Sequence, residues 1–158
     1  TPYPDVAACN GWYFVNIYRP TWYTGLDCWK EDIVAVYQEL LKQDPRIDPR
    51  RVYLYARSGE TGYLCDLLRE KPRLWRGAIL FSPGALPEPA NCPLDSLLVD
   101  AGRGDPGQPE RLAKYQAQAA AAGLPVTLLL HETARHKSWS KATQRTRLEH
   151  LTTYLNQQ

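Results

Sequence analysis

The chain has 158 residues, 44% of them hydrophobic, which is enough to bury one core, and we predict a single domain spanning residues 1–158. The 19 basic and 17 acidic residues are interspersed and give a formal net charge of +2, which does not support binding of nucleic acid or of a membrane surface. No stretch is apolar for long enough to span a bilayer, so we expect a soluble protein, either cytoplasmic or exported after removal of a signal segment.

The predicted elements alternate between strand and helix from the start of the chain. Residues 11–18 are aromatic and β-branched and are predicted as a buried strand. Residues 31–43 carry apolar side chains at helical spacing and are predicted as a helix. Residues 52–55 are a second apolar strand, and residues 59–70, which are apolar on one face, are the helix that follows it.

The second half of the chain continues the alternation. Residues 77–81 and 96–99 are predicted as two short apolar strands. Residues 108–122 are rich in alanine, a strong helix former, and are predicted as a helix. Residues 126–130 are the last predicted strand, and residues 140–156 are the last predicted helix.

This alternation predicts an α/β fold, with a mostly parallel sheet of about five strands and helices on both faces. In such a sheet, ligands bind beyond the carboxyl ends of the strands. Ser58, Asp105 and His136 each follow a different predicted strand. We therefore expect these three side chains to lie at the same edge of the sheet.

Ser58 is the candidate nucleophile, because a strand-to-helix turn lifts the side chain above the sheet and points backbone N–H groups of the helix at it. A serine hydroxyl is a weak nucleophile, so it needs a base and the base needs an orienting partner. His136 is the candidate base because imidazole titrates near neutral pH, and Asp105 is the candidate orienting acid. The backbone N–H of Gly59 is the candidate oxyanion donor.

Other roles for these residue types stay open. A turn or capping role is the alternative for Ser58 and for Asp105. Asp100, at the end of the same strand as the Asp105 loop, is the alternative acid. We expect His131 to be structural or at the rim of the site, and His150 to lie on the surface.

Aromatic side chains flank the predicted edge of the sheet. Trp22, Tyr23 and Trp139 are candidates to line a substrate pocket, although core or rim packing is the alternative.

The four cysteines include no C-x-x-C pair, which argues against a structural zinc site. We expect no metal and no organic cofactor. Cys65 is expected to be a buried free thiol. Cys9, Cys28 and Cys92 lie in loop-like segments and can include one disulfide if the protein is exported.

Four segments together resemble the α/β-hydrolase superfamily, and within it the prolyl-oligopeptidase-like and polyhydroxybutyrate-depolymerase-like serine esterases. Residues 11–20 resemble the family's G-(aromatic)-x-V-x-x-x-Y-R strand, and residues 48–63 resemble D-P-x-R-V-x-L-x-G-x-S-x-G-G-Y. Residues 97–109 resemble the strand and loop that hold the acid, and residues 131–139 resemble the histidine loop with its G-H-x-S-W run.

The resemblance implies a serine hydrolase that forms an acyl-enzyme through a triad of Ser58, His136 and Asp105. It implies a small-molecule carboxylic ester as the first choice of substrate and a peptide as the second. No cofactor is implied.

The turn at Ser58 departs from the family pattern. Ala56 and Glu60 stand where the family has glycines, and we expect the bulky Glu60 side chain to cost packing or to deform the turn. A register matched on residues 62–64 would place Gly59 at the nucleophile position and leave no nucleophile. We prefer the register matched on the strand, which keeps Ser58 at the turn.

The family's upstream strands and its H-G-G loop have no counterpart in the ten residues before Gly11. We therefore expect either an upstream segment or partner chain that completes the sheet, or a truncated α/β-hydrolase core with an exposed edge. The alternative to an esterase is a noncatalytic α/β-hydrolase-like domain that serves in binding or assembly.

Overall fold

The computed structural model describes residues 11–15, 26–132 and 141–157. The described strands are β1 (Tyr53–Arg57), β2 (Gly77–Phe81), β3 (Ser96–Gly102) and β4 (Val126–His131). The described helices are α1 (Leu26–Gln43), α2 (Glu60–Glu70), α3 (Gln108–Ala121) and α4 (Lys141–Asn156), with short 3-10 helices at Pro49–Arg51 and Pro89–Asn91.

The four strands form one parallel sheet in the order β1-β2-β3-β4. Because all four run in the same direction, their carboxyl ends lie at one edge and their amino ends at the other. The predicted α/β fold class is therefore confirmed. The strands differ from the prediction at their ends, since β3 continues to Gly102 and β4 to His131.

Helices cover both faces of this sheet, as predicted. On one face, Leu67 of α2 and Leu112 of α3 belong to the same buried cluster as Leu80 of β2. On the other face, Tyr154 of α4 packs in a cluster with Phe81. Every residue of β2 and β3 is buried, which is the reason that both strands read as almost continuous apolar runs.

Residues 11–15 run beside β1 without forming a strand. The ring of Trp12 meets the ring of Tyr53 edge to face at 5.7 Å, and Phe14 meets Tyr55 at 6.3 Å. The two contacts advance in the same direction along both segments, so residues 11–15 follow β1 in parallel.

The prediction of a buried strand over residues 11–18 is wrong for residues 11–15, because their alternate side chains face solvent. Tyr13 is 57% exposed and Val15 is 48% exposed. The Tyr13 hydroxyl donates a hydrogen bond to Asp44, which ties this segment to the turn after α1. The rest of the predicted strand lies outside the described residues.

The two cysteines whose side chains are described are free thiols, Cys65 and Cys92. Cys65 is half-buried, whereas the sequence predicted that it is buried. Burial raises the pKa of the Cys65 thiol to about 12 and that of the Cys92 thiol to about 11. Of the cysteines considered for a disulfide, Cys92 is therefore free, while Cys9 and the side chain of Cys28 lie outside the described residues.

Candidate active site

Ser58 lies at the turn between β1 and α2 and has a left-handed backbone, with a φ of 55°. Residues other than glycine rarely adopt this conformation. The next residue, Gly59, has a right-handed φ of −61° and caps α2. The strained position of the turn is therefore Ser58 and not Gly59.

Five hydrogen bonds hold the Ser58 turn, and two of them come from the segment that follows β2. The Ser58 N–H donates to the Phe81 carbonyl at 2.9 Å, and the Gly84 N–H donates to the Ser58 carbonyl at 3.0 Å. The same carbonyl accepts from the Thr61 N–H at 3.2 Å and from the Thr61 hydroxyl at 2.6 Å. Thr61 is fully buried, and its hydroxyl oxygen accepts from the Ala85 N–H at 2.9 Å. This network holds a backbone conformation that is otherwise unfavourable.

The close backbone approach in this turn occurs at Gly84. A Cβ atom on Gly84 would lie 3.1 Å from the Ser58 carbonyl oxygen. The packing cost expected at Glu60 is not observed, because the Glu60 side chain is exposed. Its carboxylate accepts a long hydrogen bond of 3.4 Å from the Arg57 N–H.

The candidate oxyanion donor is the Gly59 N–H. It stands at the beginning of α2, where backbone N–H groups have no partner inside the helix. In the part of the chain that the structure describes, no atom accepts a hydrogen bond from it.

A second serine with a positive φ ends the neighbouring strand. Ser82 follows β2, has a φ of 40° and is 2% exposed. Its N–H donates to the Asp100 carbonyl at 2.7 Å, which holds it against β3.

Asp105 lies in the turn between β3 and α3 and is half-buried, with its Oδ2 shielded from solvent. Its N–H donates to the Gly102 carbonyl at 3.3 Å, and its own carbonyl accepts from the Gln108 N–H at 3.2 Å. The Gln108 side chain donates to the Pro83 carbonyl at 3.1 Å. Asp105 and Ser58 therefore lie at the same edge of the sheet, joined through the segment after β2.

Asp100, the alternative acid, is held inside β3 and is 1% exposed. Its Oδ2 lies 3.1 Å from the His131 Nε2, and its Oδ1 lies 3.2 Å from the Arg147 Nε. The Arg147 guanidinium also lies over the Phe81 ring, 3.7 Å from its centroid. Asp100 is therefore engaged by two basic side chains.

The two described histidines lie where they were expected. His131 ends β4, with a side chain that is 9% exposed and in contact with Asp100, which agrees with a structural role. His150 is exposed on α4, with its ring stacked at 6.1 Å from that of His131.

The remaining predicted site residues, His136, Trp22, Tyr23 and Trp139, lie outside the described residues. The base and the pocket aromatics therefore stay predictions. Across residues 11–15, 26–132 and 141–157, no cluster of three or more histidine, cysteine or acidic side chains has a geometry that suits a metal ion. Within the same ranges, no helix has the length and apolarity that crossing a membrane requires.

Sequence reasoning missed Thr61 and Gly84, which bond to the Ser58 carbonyl, and Arg111, which donates to the Pro83 and Gly84 carbonyls. A signal was present, because Ser82-Pro83-Gly84 follows an apolar strand and consists of three residue types that are typical of tight turns. The contacts of these residues join loops that follow different strands. Such contacts leave no signal in the local sequence pattern.

Shallow depressions in the described surface lie away from Ser58. One of ≈ 450 Å³ includes Leu94 and Leu124, which precede β3 and β4 and so mark the amino edge of the sheet. Another of ≈ 360 Å³ lies between α3 and the loop around Pro87.

Solved structures of other proteins share this fold. The Francisella virulence factor BioJ superposes with a TM-score of 0.67 at 10% sequence identity, over 88% of this chain and 62% of BioJ. Dipeptidyl peptidase 4 of Porphyromonas gingivalis gives a TM-score of 0.66 at 13% identity, over 81% of this chain and 22% of the peptidase. The Bacillus cereus carboxylesterase gives a TM-score of 0.56 at 15% identity, over 84% of this chain and 61% of the esterase.

The chain thus spans 62% or less of the length of each of these three proteins. At such low identities the likeness concerns the fold alone. No family model matches the sequence, and no curated protein matches it.

Proposed function

Since this chain has the α/β-hydrolase fold, we propose that it is a serine hydrolase core that cleaves carboxylic esters through an acyl-enzyme. Ser58 is the nucleophile, His136 the base and Asp105 the acid that orients the base. The fold of the chain is that of esterases and peptidases, which supports a hydrolase in general.

One observation carries this proposal, the left-handed backbone of Ser58 at the end of β1. A serine in such a turn presents its hydroxyl above the sheet edge, next to the N–H groups of the following helix. The positive φ falls on Ser58 and not on Gly59, which supports the register that keeps a nucleophile at the turn.

The reaction would proceed in two halves. The Ser58 Oγ attacks the ester carbonyl carbon while His136 accepts the hydroxyl proton, and Asp105 stabilises the resulting imidazolium. The carbonyl oxygen becomes an oxyanion that the Gly59 N–H stabilises, and one such donor is typically worth about 3 kcal/mol of barrier. His136 then protonates the departing alcohol, and a water activated by His136 hydrolyses the acyl-enzyme to release the acid.

Substrate choice depends on side chains around this edge. Trp22, Tyr23 and Trp139 are proposed to line a pocket for the acyl or alcohol group, with small-molecule esters preferred over peptides. No cofactor takes part in the reaction.

A noncatalytic domain for binding or assembly is the second candidate. The labelling experiment below distinguishes this candidate from a hydrolase. The exposed Glu60 side chain no longer supports this candidate, because it does not press on the Ser58 turn.

The test is covalent labelling with a fluorophosphonate probe, read by intact mass, together with hydrolysis of p-nitrophenyl acetate and butyrate. We expect labelling and turnover in the wild-type chain and neither in Ser58→Ala. The matched control is Ser82→Ala, because Ser82 also has a positive φ at the carboxyl end of a strand. Labelling that survives in Ser58→Ala but not in Ser82→Ala would assign the nucleophile to Ser82. A folded wild-type chain that takes no label favours the noncatalytic domain.

The acid is tested by comparing Asp105→Asn with Asp100→Asn. If Asp105 orients the base, Asp105→Asn lowers kcat by as much as about 10⁴-fold, since the amide favours the wrong tautomer of the imidazole. An Asp100→Asn variant with the larger loss of kcat per folded molecule would move the acid role to Asp100.

A further inference from the structure

Arg111 makes a contact that joins two connections of the sheet. It lies on α3, is half-buried, and its Nη1 donates to the Pro83 carbonyl at 2.9 Å. Its Nη2 donates to the Gly84 carbonyl at 3.2 Å. The planar guanidinium offers a fixed fork of donors, which suits two acceptors on successive residues.

Gln108 supports the same contact from one turn earlier on α3. Its Nε2 donates to the Pro83 carbonyl at 3.1 Å, and its Oε1 lies 3.4 Å from the Arg111 Nη1. The backbone of Gln108 is bonded in turn to Asp105, since its N–H donates to the Asp105 carbonyl at 3.2 Å.

The other end of the contact reaches Ser58. The Gly84 N–H donates to the Ser58 carbonyl at 3.0 Å, while the Gly84 carbonyl accepts from Arg111. Pro83 and Gly84 are therefore hydrogen-bonded on one side to the Ser58 turn and on the other side to α3, the helix that begins after Asp105.

The carbonyl groups of Pro83 and Gly84 depend on these side chains for their hydrogen bonds. Pro83 and Gly84 belong to no helix and no strand, so the sheet ladder does not satisfy their carbonyl groups. The segment also begins at Ser82, whose φ of 40° persists only if its surroundings hold it.

We propose that Arg111 is a positioning residue that sets the separation between the Ser58 turn and the Asp105 turn through the backbone of Pro83 and Gly84. We call these contacts the Arg111 clamp. The effect of Arg111 on catalysis rests on the proposed function, whereas its effect on the separation of the two turns does not.

The coupling is tested by amide hydrogen exchange. In Arg111→Met, which keeps an apolar stem and removes all donors, exchange at Gly84, Ala85 and Thr61 is expected to rise about tenfold or more. The Val99 amide in the middle of β3 is the internal reference and should not change. Arg145→Met is the matched control, because Arg145 is an exposed helical arginine paired only on the surface with Glu149 among the described residues.

The catalytic consequence is tested by the rate of fluorophosphonate labelling and by ester kinetics. We expect Arg111→Met to lower the labelling rate and kcat by about tenfold with KM unchanged, because a small misplacement of reacting groups is costly. Arg111→Lys, which keeps the charge but not the fork, is expected to recover part of the rate. If Arg111→Met does not fold, Arg111→Lys replaces it in both measurements, with a smaller effect expected.

Two results overturn the proposal. One is unchanged exchange at Gly84 and Thr61 in a folded Arg111 variant. The other is raised exchange with an unchanged labelling rate, which would leave Arg111 a purely structural residue. A wild-type chain that takes no label instead contradicts the proposed function, and the exchange data then decide by themselves whether the Arg111 clamp exists.

Discussion

The two edges of the sheet hold left-handed backbone in different ways. At the carboxyl edge, left-handed conformations fall on two serines, Ser58 and Ser82, with φ values of 55° and 40°, and on Gly107 before α3, with a φ of 72°. At the amino edge, the turn between α3 and β4 uses Gly123, with a φ of 74°, where no Cβ is strained. Two strained non-glycine residues therefore lie at the carboxyl edge, whereas the turn before β4 at the amino edge uses a glycine.

The two edges also differ in what they bury. The carboxyl edge buries Asp100 between His131 and Arg147, and it orders Pro83 and Gly84 with side-chain donors. At the amino edge, a surface depression is lined largely by proline, alanine and leucine residues. Strained backbone is frequent at functional sites, so this contrast supports the proposal that the carboxyl edge is the functional one.

The largest expected effect is the loss of Asp100. Asp100→Ala leaves Arg147 and His131 buried without their shared carboxylate, so we expect the free energy of unfolding to fall by about 3–5 kcal/mol. Urea denaturation followed by circular dichroism measures this change. Asp105→Ala is the comparison, because Asp105 is half-buried in a turn and its loss should cost less. A smaller loss in Asp100→Ala than in Asp105→Ala would contradict the assignment of Asp100 to structure.

A change at the amino edge should affect stability without affecting chemistry. A Cβ on Gly77 would lie 2.7 Å from the Ser96 carbonyl oxygen, so the β2 and β3 backbones must move apart in Gly77→Ala. We expect a loss of about 1–3 kcal/mol with unchanged labelling per folded molecule. Gly62→Ala is the matched control: no atom outside its helix lies within 4 Å of the added Cβ, and the change should stabilise α2 by about 0.5–1 kcal/mol. Equal effects of the two changes would argue against this close approach.

Removing strain at the carboxyl edge should stabilise the protein while abolishing the proposed chemistry. Ser58→Gly relieves the left-handed conformation and should unfold at higher denaturant than Ser58→Ala, by about 1–2 kcal/mol. Gly123→Ala makes the opposite change at the amino edge and should destabilise by a similar amount, since its added Cβ meets no atom within 4 Å and only φ is strained. A Ser58→Gly variant no more stable than Ser58→Ala would mean that the turn is not strained.

A further effect is expected at alkaline pH. Burial raises the pKa of the Cys92 thiol to about 11, so the folded state keeps this proton at a pH where the unfolded thiol has lost it. The unfolding free energy should therefore fall as pH rises from about 8.5, the usual thiol pKa, to about 11. Thermal denaturation of wild type and Cys92→Ala across this range checks the effect, and parallel curves would exclude a contribution from Cys92.

Local patterns were sufficient for most elements of the sheet. β2 and β3 are apolar because both of their faces are covered, and this burial marks them in the sequence as well as in the structure. Residues 11–15 carry a similar aromatic and β-branched pattern, yet Tyr13 and Val15 are exposed. The residue pattern shows that a segment can form a strand, whereas packing against neighbouring elements determines how much of the segment is buried.

The same distinction applies to the site. The run of apolar residues that stops at Ser58 and is followed by an amphipathic helix determined, by itself, a strand-to-helix turn with a serine at its apex. Only the tertiary structure decided that this serine takes the strained conformation and that the Glu60 side chain is exposed. It also decided that Arg111 donates hydrogen bonds to the Pro83 and Gly84 carbonyls. Periodicity reports contacts within an element, whereas these contacts join separate connections of the sheet and depend on the packing that brings them together.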